Sequence, residues 1–464
     1  MARSKIVLLW VLLVCTGAFI VSLNGCGGGS ASGGGGSKTP PPNKILHVVV
    51  IFQENRTPDN LFHDLPNADI AKQGTNSKGQ VVTLTPTTLK TDYDIGHGHN
   101  SFVKMYDGGK MDGADLISVT CNGGAQGCPP PHAQFQYVDP SGTAPYFDLA
   151  EAYTFGDHMF QTNQGPSFPA HQYIISGTSA PSVGSNLFAS ENPVGGPDPF
   201  HYAGCIAPPT ETVSLIDPSG GESQKMYPCF EHPTLTDELN AKGISWRYYT
   251  PSAGVIWTAP NAIEHMCVPN LPPPNGTACT GSDWTNNVVL QNTQVLTDIQ
   301  NGNLATISWV MPSGQSSDHA GINDGTGPSW VASVVNAIGN SQYWDNTAIF
   351  ITWDDWGGWY DHVSPPINPD NAYEYGFRVP LIVVSPYAKA AYVSHVTHHF
   401  GSVLKYIEEN FGLGSLGYAD ANADDFADCF DYNQTPLTFH TIAAPMDANH
   451  FLQDKTPPLD PDDD

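Results

Sequence analysis

The sequence predicts an α/β protein: a three-layer α/β/α sandwich with a mostly parallel central sheet and long loop insertions. Three observations predict it. Apolar runs at 45–52, 244–249, 306–311, 348–353 and 381–385 are continuous rather than alternating, as expected of parallel strands covered on both faces. Helical patterns lie between them. Residues 329–338 suit one helix, and Phe400, Val403, Leu404, Ile407 and Phe411 recur at helical spacing up to Gly412. Finally, 46 Gly and 40 Pro supply the turns that long ordered loops require.

The ends of the chain read differently from its body. Arg3 and Lys5 precede an apolar run at 6–14, extended by 18–21, and the stretch closes on Leu23-Asn24-Gly25-Cys26. This is an export signal over 1–26 whose end resembles a bacterial lipobox, in which Cys26 becomes lipidated and attaches the protein to a membrane. Asn24 leaves ordinary secretion open, and the length of the run leaves a transmembrane anchor open. Residues 27–43 form a Gly/Ser/Pro-rich tether, 44–440 the folded domain, and 441–464 an acidic, Pro-rich tail expected to be disordered from 457. No later segment approaches ~18 uninterrupted apolar residues.

A formal net charge of −28 argues against a nucleic-acid partner, since phosphate backbones are held by Lys and Arg. Beyond Cys15 and Cys26, seven cysteines remain. In an oxidising compartment neighbours can pair as Cys121–Cys128, Cys205–Cys229 and Cys267–Cys279, leaving Cys429 over. None has zinc-ribbon spacing, which argues against a cysteine-based metal site.

The strand ends concentrate the chemistry. In open α/β sheets, sites form outside the carboxyl ends of strands. The first strand runs into Glu54 and Asn55, the 348–353 strand into Asp354 and Asp355, and the 306–311 strand leads to His319. Adjacent carboxylates repel unless protons or a cation neutralise them. One acidic pair is usually a solvated turn, but two clusters directly after apolar strands favour a divalent metal ion. Imidazole ligands would widen the choice to zinc or iron. Ser167 lies in Gly165-Pro166-Ser167-Phe168-Pro169, a rigid turn that can hold a hydroxyl in place. A serine attacks at neutral pH only with a base or metal beside it, and this segment alone also suits an ordinary loop serine. No Gly-x-Ser-x-Gly elbow surrounds it, which disfavours an α/β-hydrolase esterase. His97, His99, His319 and His362 can hydrogen-bond an oxyanion or protonate a leaving group, though a single histidine is more often structural. His398 and His399 read as cap or surface residues.

Taken together the motifs resemble the bacterial phosphoesterase family of acid phosphatases and non-haemolytic phospholipases C, in the alkaline-phosphatase-like superfamily. The matching pieces run in the family's order over about 44–434. They are the strand from His47 into Glu54-Asn55-Arg56, and His97 through Gly109-Lys110-Met111-Asp112-Gly113. Gly165-Pro166-Ser167-Phe168-Pro169 follows, then Ser317-Asp318-His319, with Ala320 in place of proline. The last two are Asp354-Asp355 through Asp361-His362-Val363, and Gly376 through Ser385-Pro386. The resemblance implies an exported, metal-dependent hydrolase of phosphate esters. Glu54, Asn55, Asp354 and Asp355 would bind the metal. Ser167 would be the nucleophile, passing through a phosphoseryl intermediate, and His97 and His319 would contact phosphoryl oxygens or the leaving group. The substrate would be a small phosphate ester or a phospholipid headgroup.

Asp355 stands where glutamate is common, which shortens one ligand arm. Of a histidine pair some members carry centrally, only His265 is found. His97 is chosen over His99 on spacing to Gly109-Lys110. Ser167, where many phospholipases C carry threonine, and a chain that stops soon after the core lean toward the acid-phosphatase branch. Two rivals remain: a sulfatase, for which the Cys-x-Pro-x-Arg motif and its serine analogue are missing, and a catalytically silent surface-tethered binding protein, against which the intact ligand residues and Ser167 count.

Overall fold

The computed structural model describes residues 44–196, 202–368 and 371–458. The expected signal, tether and last residues of the tail lie outside them. The sheet has eight strands: β1 His47–Gln53, β2 Thr154–Gly156, β3 Trp246–Tyr249, β4 Val288–Val289, β5 Ile307–Val310, β6 Thr347–Trp353, β7 Leu381–Val384 and β8 Tyr392–Ser394, in spatial order β4-β3-β5-β1-β6-β7-β2-β8. β1 is central and pairs in parallel with β5 and β6, with Val48 opposite both Ile307 and Ala348. Consecutive residues Val48 to Phe52 and all of β6 are buried, so both faces of the sheet are covered.

Seven of the helices fall into two packed groups. α1 Ala144–Ala152, α4 Gln294–Gln300 and α7 Ala448–Gln453 all pack on α5 Gly327–Gly339. α3 Leu235–Lys242 and α6 Phe400–Phe411 both pack on α2 Ser167–Ser176. α6 ends at Gly412, whose left-handed φ of 63° caps it as the spacing predicts. This is the expected α/β sandwich. The long insertions carry a second, smaller core in which Ile95, Phe102 and Met105 meet Trp356, Trp359 and Phe377.

Two expectations are corrected. The 381–385 run was expected to be a parallel strand, but β7 runs antiparallel to both β6 and β2. The connection from β6 to β7 holds no helix among the described residues, so the chain re-enters the sheet from the end it left. Apolar continuity reports two covered faces and is blind to direction. The second correction concerns the tail. Packing continues past 440: Ile442 and Phe451 are buried, Ile442 exchanges hydrogen bonds with the Asn336 side chain (2.8 and 2.9 Å), and Phe451 meets Trp330 edge-on. Ile442 and Phe451 anchor this stretch to the domain, with Met446 and Leu452 packed beside them. The three neighbour disulfides are formed, and Cys429 is free and buried.

Arg378 ties the loop after β6 to the body. Its guanidinium is fully buried, donates to Asp361 at 3.0 Å and Asp59 at 3.3 Å, and reaches the carbonyls of Asp69 and Asp157. The Asp59, Asp361 and His362 group is thus already neutralised by a cation of the chain itself. Arg378→Met should leave the buried Asp361 carboxylate without its cation, His362 still facing Asp59 at 2.8 Å, and cost about 3–5 kcal/mol in a denaturant titration.

Candidate active site

β1 and β6 lie side by side, so their ends deliver Glu54-Asn55 and Asp354-Asp355 to one place, all four fully buried. The turns that hold them are tightly specified. Asp354 Oδ1 accepts from the backbone N–H of Asn55 (2.9 Å) and of Asp355 (2.7 Å), while Asp355 Oδ1 accepts from Gly357 N–H (2.7 Å). Asn55 sits at φ 62°, a strained conformation that asparagine tolerates better than most residues. Gly357 (φ 62°) passes so close that a Cβ there would lie 2.3 Å from the Asn55 carbonyl oxygen.

Ser167 is the first residue of α2 rather than a loop residue. Its Oγ lies 3.4 Å from both Glu54 Oε2 and Asp355 Oδ2. Gly165 makes the approach possible, since a Cβ there would lie 2.2 Å from the Ser190 carbonyl oxygen. The electropositive end of α2 therefore falls at the hydroxyl, which suits an incoming anion. One turn along the helix, His171 projects to the same place: Nε2 is 3.2 Å from Glu54 Oε1 and 3.9 Å from Asp354 Oδ2. Sequence reasoning missed it. The available signal was the Ser167–His171 spacing of four, informative only once a helix is known to start at Ser167.

The electrostatics call for a cation. Burial, reinforced by the charges of Asp354 and Asp355, pushes Glu54 well above the usual carboxylate range. Burial alone would raise Asp354 too, but its contact with Glu54, the nearby His171 and the Asn55 N–H hold it below. Without an ion, Glu54 is pushed toward its protonated form. His171 cannot neutralise the cluster, because burial drags its pKa down to about 4. Asp354 Oδ2 and Asn55 Oδ1 are buried acceptors with no hydrogen-bond donor. Oxygen atoms aimed at one point, with a proton doing a cation's work, fit a divalent metal ion; Glu54, Asp354 and His171 already converge as a ligand group.

These motifs match a known family over residues 45–414. The chain belongs to the Phosphoesterase family. Phospholipase C B of Mycobacterium tuberculosis is 23% identical over 449 residues, 84% of this chain and 78% of that protein. The hemolytic phospholipase C of Pseudomonas aeruginosa is 25% identical over 307 residues, covering 58% of this chain and 38% of that protein. The same organism's non-hemolytic phospholipase C is 24% identical over 419 residues, covering 79% and 54%. This chain thus spans little more than a third of one of these relatives and about half of another. A solved structure of a protein in the alkaline phosphatase superfamily from Vibrio parahaemolyticus aligns with 84% of this chain and 72% of that one, at 10% identity and a TM-score of 0.36.

In this member of the Phosphoesterase family the histidines separate by position. His97 Nδ1–H donates to the Ile95 carbonyl (2.9 Å), so Nε2 accepts from Asn55 Nδ2 (2.9 Å) and turns the Asn55 amide oxygen the other way. His97 also lies 4.0 Å from Asp355 Oδ2, with its ring 5.5 Å from that of His319. His319 Nδ1–H donates to the Ala320 carbonyl (2.8 Å), which makes Nε2 the nitrogen able to exchange a proton. Arg56 grips the Asp318 carbonyl from the end of β1 and so positions the His319 loop. The His99 ring turns away to Glu222, and its backbone N–H donates to Glu191. His362 sits in the Arg378 network. His398 is buried in a different cluster, and His399 caps α6.

His265 lies outside the site, between Asp237 (3.3 Å) and Glu231 (2.9 Å). Hydrogen bonding to Asp237, aided by Glu231, raises its pKa from 6.5 to about 9. Because the folded value lies above the unfolded one, its stabilisation is complete below 6.5 and disappears as pH rises through about 9. The Tm gap between the unmodified protein and His265→Gln should close across that window.

Proposed function

We propose that the chain hydrolyses phosphate esters through Ser167 beside a divalent cation, and that its substrate is a phosphodiester of the phospholipid-headgroup kind. The observation that carries this is the placement of Ser167 Oγ 3.4 Å from both Glu54 and Asp355, at the start of a helix. A cation held by Glu54, Asn55, Asp354 and Asp355, with His171 as a further candidate ligand, would lower the hydroxyl's pKa and neutralise charge on the phosphoryl group. The chain's own groups do the rest. Ser167 Oγ attacks phosphorus, the ester oxygen departs, and water then cleaves the phosphoserine. His97 holds the Asn55 amide, and His319 Nε2 supplies the proton to the departing oxygen. The relatives named as phospholipases C support the diester. Ser167 favours a phosphomonoesterase as the second reading, given the threonine that the resemblance implies for many phospholipases C. Export is part of the proposal: the three disulfides suit an oxidising compartment, and lipidation at Cys26 would hold the enzyme at a membrane.

The test is turnover of p-nitrophenyl phosphorylcholine against p-nitrophenyl phosphate across roughly pH 5–8, where a catalytic imidazole titrates, with and without chelator. Faster turnover of the diester, abolished by chelator and restored by a divalent ion, is expected. Monoester preference would move the protein to the second reading. Inertness toward both in every metal would leave a binding protein.

A further inference from the structure

A second group of metal-type donors lies elsewhere in the fold. It shares no residue and no element with the site on β1, α2 and β6. His398 comes from a short strand, His398–His399, that pairs with Met159–Phe160 just before α6. Asp428 and Cys429 come from the turn that packs against the edge of the sheet, where the Cys429 carbonyl accepts from Lys389 N–H (2.9 Å) and Thr154 Oγ1 (3.2 Å).

We infer that His398, Asp428 and Cys429 form a structural site for a zinc-like ion that clamps the C-terminal turn to the edge of the sheet. Three observations carry it. The first is geometry. His398 Nε2 lies 3.6 Å from Asp428 Oδ1 and 3.8 Å from Cys429 Sγ, and Sγ lies 3.5 Å from the same Asp428 oxygen. Zinc bonds of roughly 2.0–2.3 Å in a tetrahedron imply donor–donor edges of roughly 3.3–3.6 Å, so the three atoms nearly outline one face. The second is the surroundings of the imidazole. Asp424 Oδ1 stands 2.9 Å from His398 Nδ1, close to where metal-bound histidines commonly keep a carboxylate behind the ring, although Nδ1 makes no hydrogen bond to it here. Ser394 Oγ lies 3.1 Å from His398 Nε2 and donates to Asp428, so a hydroxyl already borders the three donors. The third is the donor set. A buried thiol and imidazole with one carboxylate select zinc over magnesium or calcium, whereas the first site is built mainly from oxygen.

Cys429 packs in the apolar core, but its Sγ also touches an imidazole and a carboxylate, which a cysteine merely filling the core does not need. Motif spacing could not reveal this, because His398 and Cys429 are brought together only by the fold.

Cobalt is the discriminating probe, since thiolate ligation gives a sulfur-to-cobalt charge-transfer absorption that oxygen and nitrogen ligands do not. The full chain, stripped of metal and titrated with Co2+, should develop that absorption, and Zn2+ should abolish it at one equivalent. Cys429→Ala should lack the absorption, bind one equivalent of zinc fewer, and keep the phosphoester turnover of the unmodified protein. Absorption that never develops, or that persists in Cys429→Ala, overturns the inference. If that variant does not fold, the Zn2+ displacement on the unmodified chain and the weaker absorption expected of His398→Gln decide the matter. An absorption that Zn2+ cannot displace counts against the site. Turnover reads the first site separately, so failure of one assignment cannot be mistaken for failure of the other.

Discussion

Ser167→Ala should lower phosphoester turnover by about 10⁴-fold or more, the scale seen when a covalent nucleophile is removed, while the protein keeps its fold and its metal. The two halves of this expectation come from the same geometry. Ser167 Oγ makes only long contacts, 3.4 Å to each of two carboxylates, so its loss removes little binding energy from the folded state. It occupies the first turn of α2, where alanine is well accepted, and the Phe168 N–H stays capped by Asn192 Oδ1 at 2.9 Å. Metal content by mass spectrometry and Tm should therefore match the unmodified protein. A variant that turns over normally would falsify the nucleophile assignment. A variant that loses both turnover and metal would instead make Ser167 a ligand, which the joint measurement separates.

Much of this site could be read before any coordinates because strand ends are legible. Five apolar runs were continuous, two of them stopped on paired polar residues, and parallel neighbours end side by side, so Glu54-Asn55 and Asp354-Asp355 had to meet if their strands were adjacent. What could not be read has physical reasons. The direction of β7 depends on which end of the sheet the chain re-enters, and a strand covered on both faces carries no mark of direction. His171 has no local signature: only the start of α2 at Ser167 puts it on the cluster, and Gly165-Pro166-Ser167 reads equally as a loop. Spacing to Gly109-Lys110 favours His97 over His99, but it does not show the Asn55 hydrogen bond to His97, which joins segments 42 residues apart. Spacing along the chain contains no such information. Past 440, Ile442 and Phe451 carry the chain onto α5, contacts that a boundary drawn from composition does not register.

Asp354→Asn should weaken binding of the active-site metal by about 100-fold or more, since even groups that only support ligands are worth about 10–100-fold, and turnover should fall with it. The substitution is nearly isosteric, and the turn dictates how the amide must sit. Oδ1 accepts two backbone N–H groups, from Asn55 and Asp355, and both would be stranded if the amide nitrogen took that place. The amide oxygen therefore stays there, and the nitrogen occupies the position of Oδ2, the buried acceptor that now has no donor. A lone pair aimed at the cation becomes two N–H groups, and one negative charge is lost. The same change relieves the ion-free protein. Glu54, which burial and Asp354 now hold in its protonated form, would face a neutral donor and could ionise. The chelated variant should consequently melt higher than the chelated parent, while in saturating metal the order reverses. That crossing is the distinguishing result. Asp354→Asn melting lower than the parent with and without metal would show a residue that serves the fold alone, and unchanged metal content would move the ligand assignment to other groups.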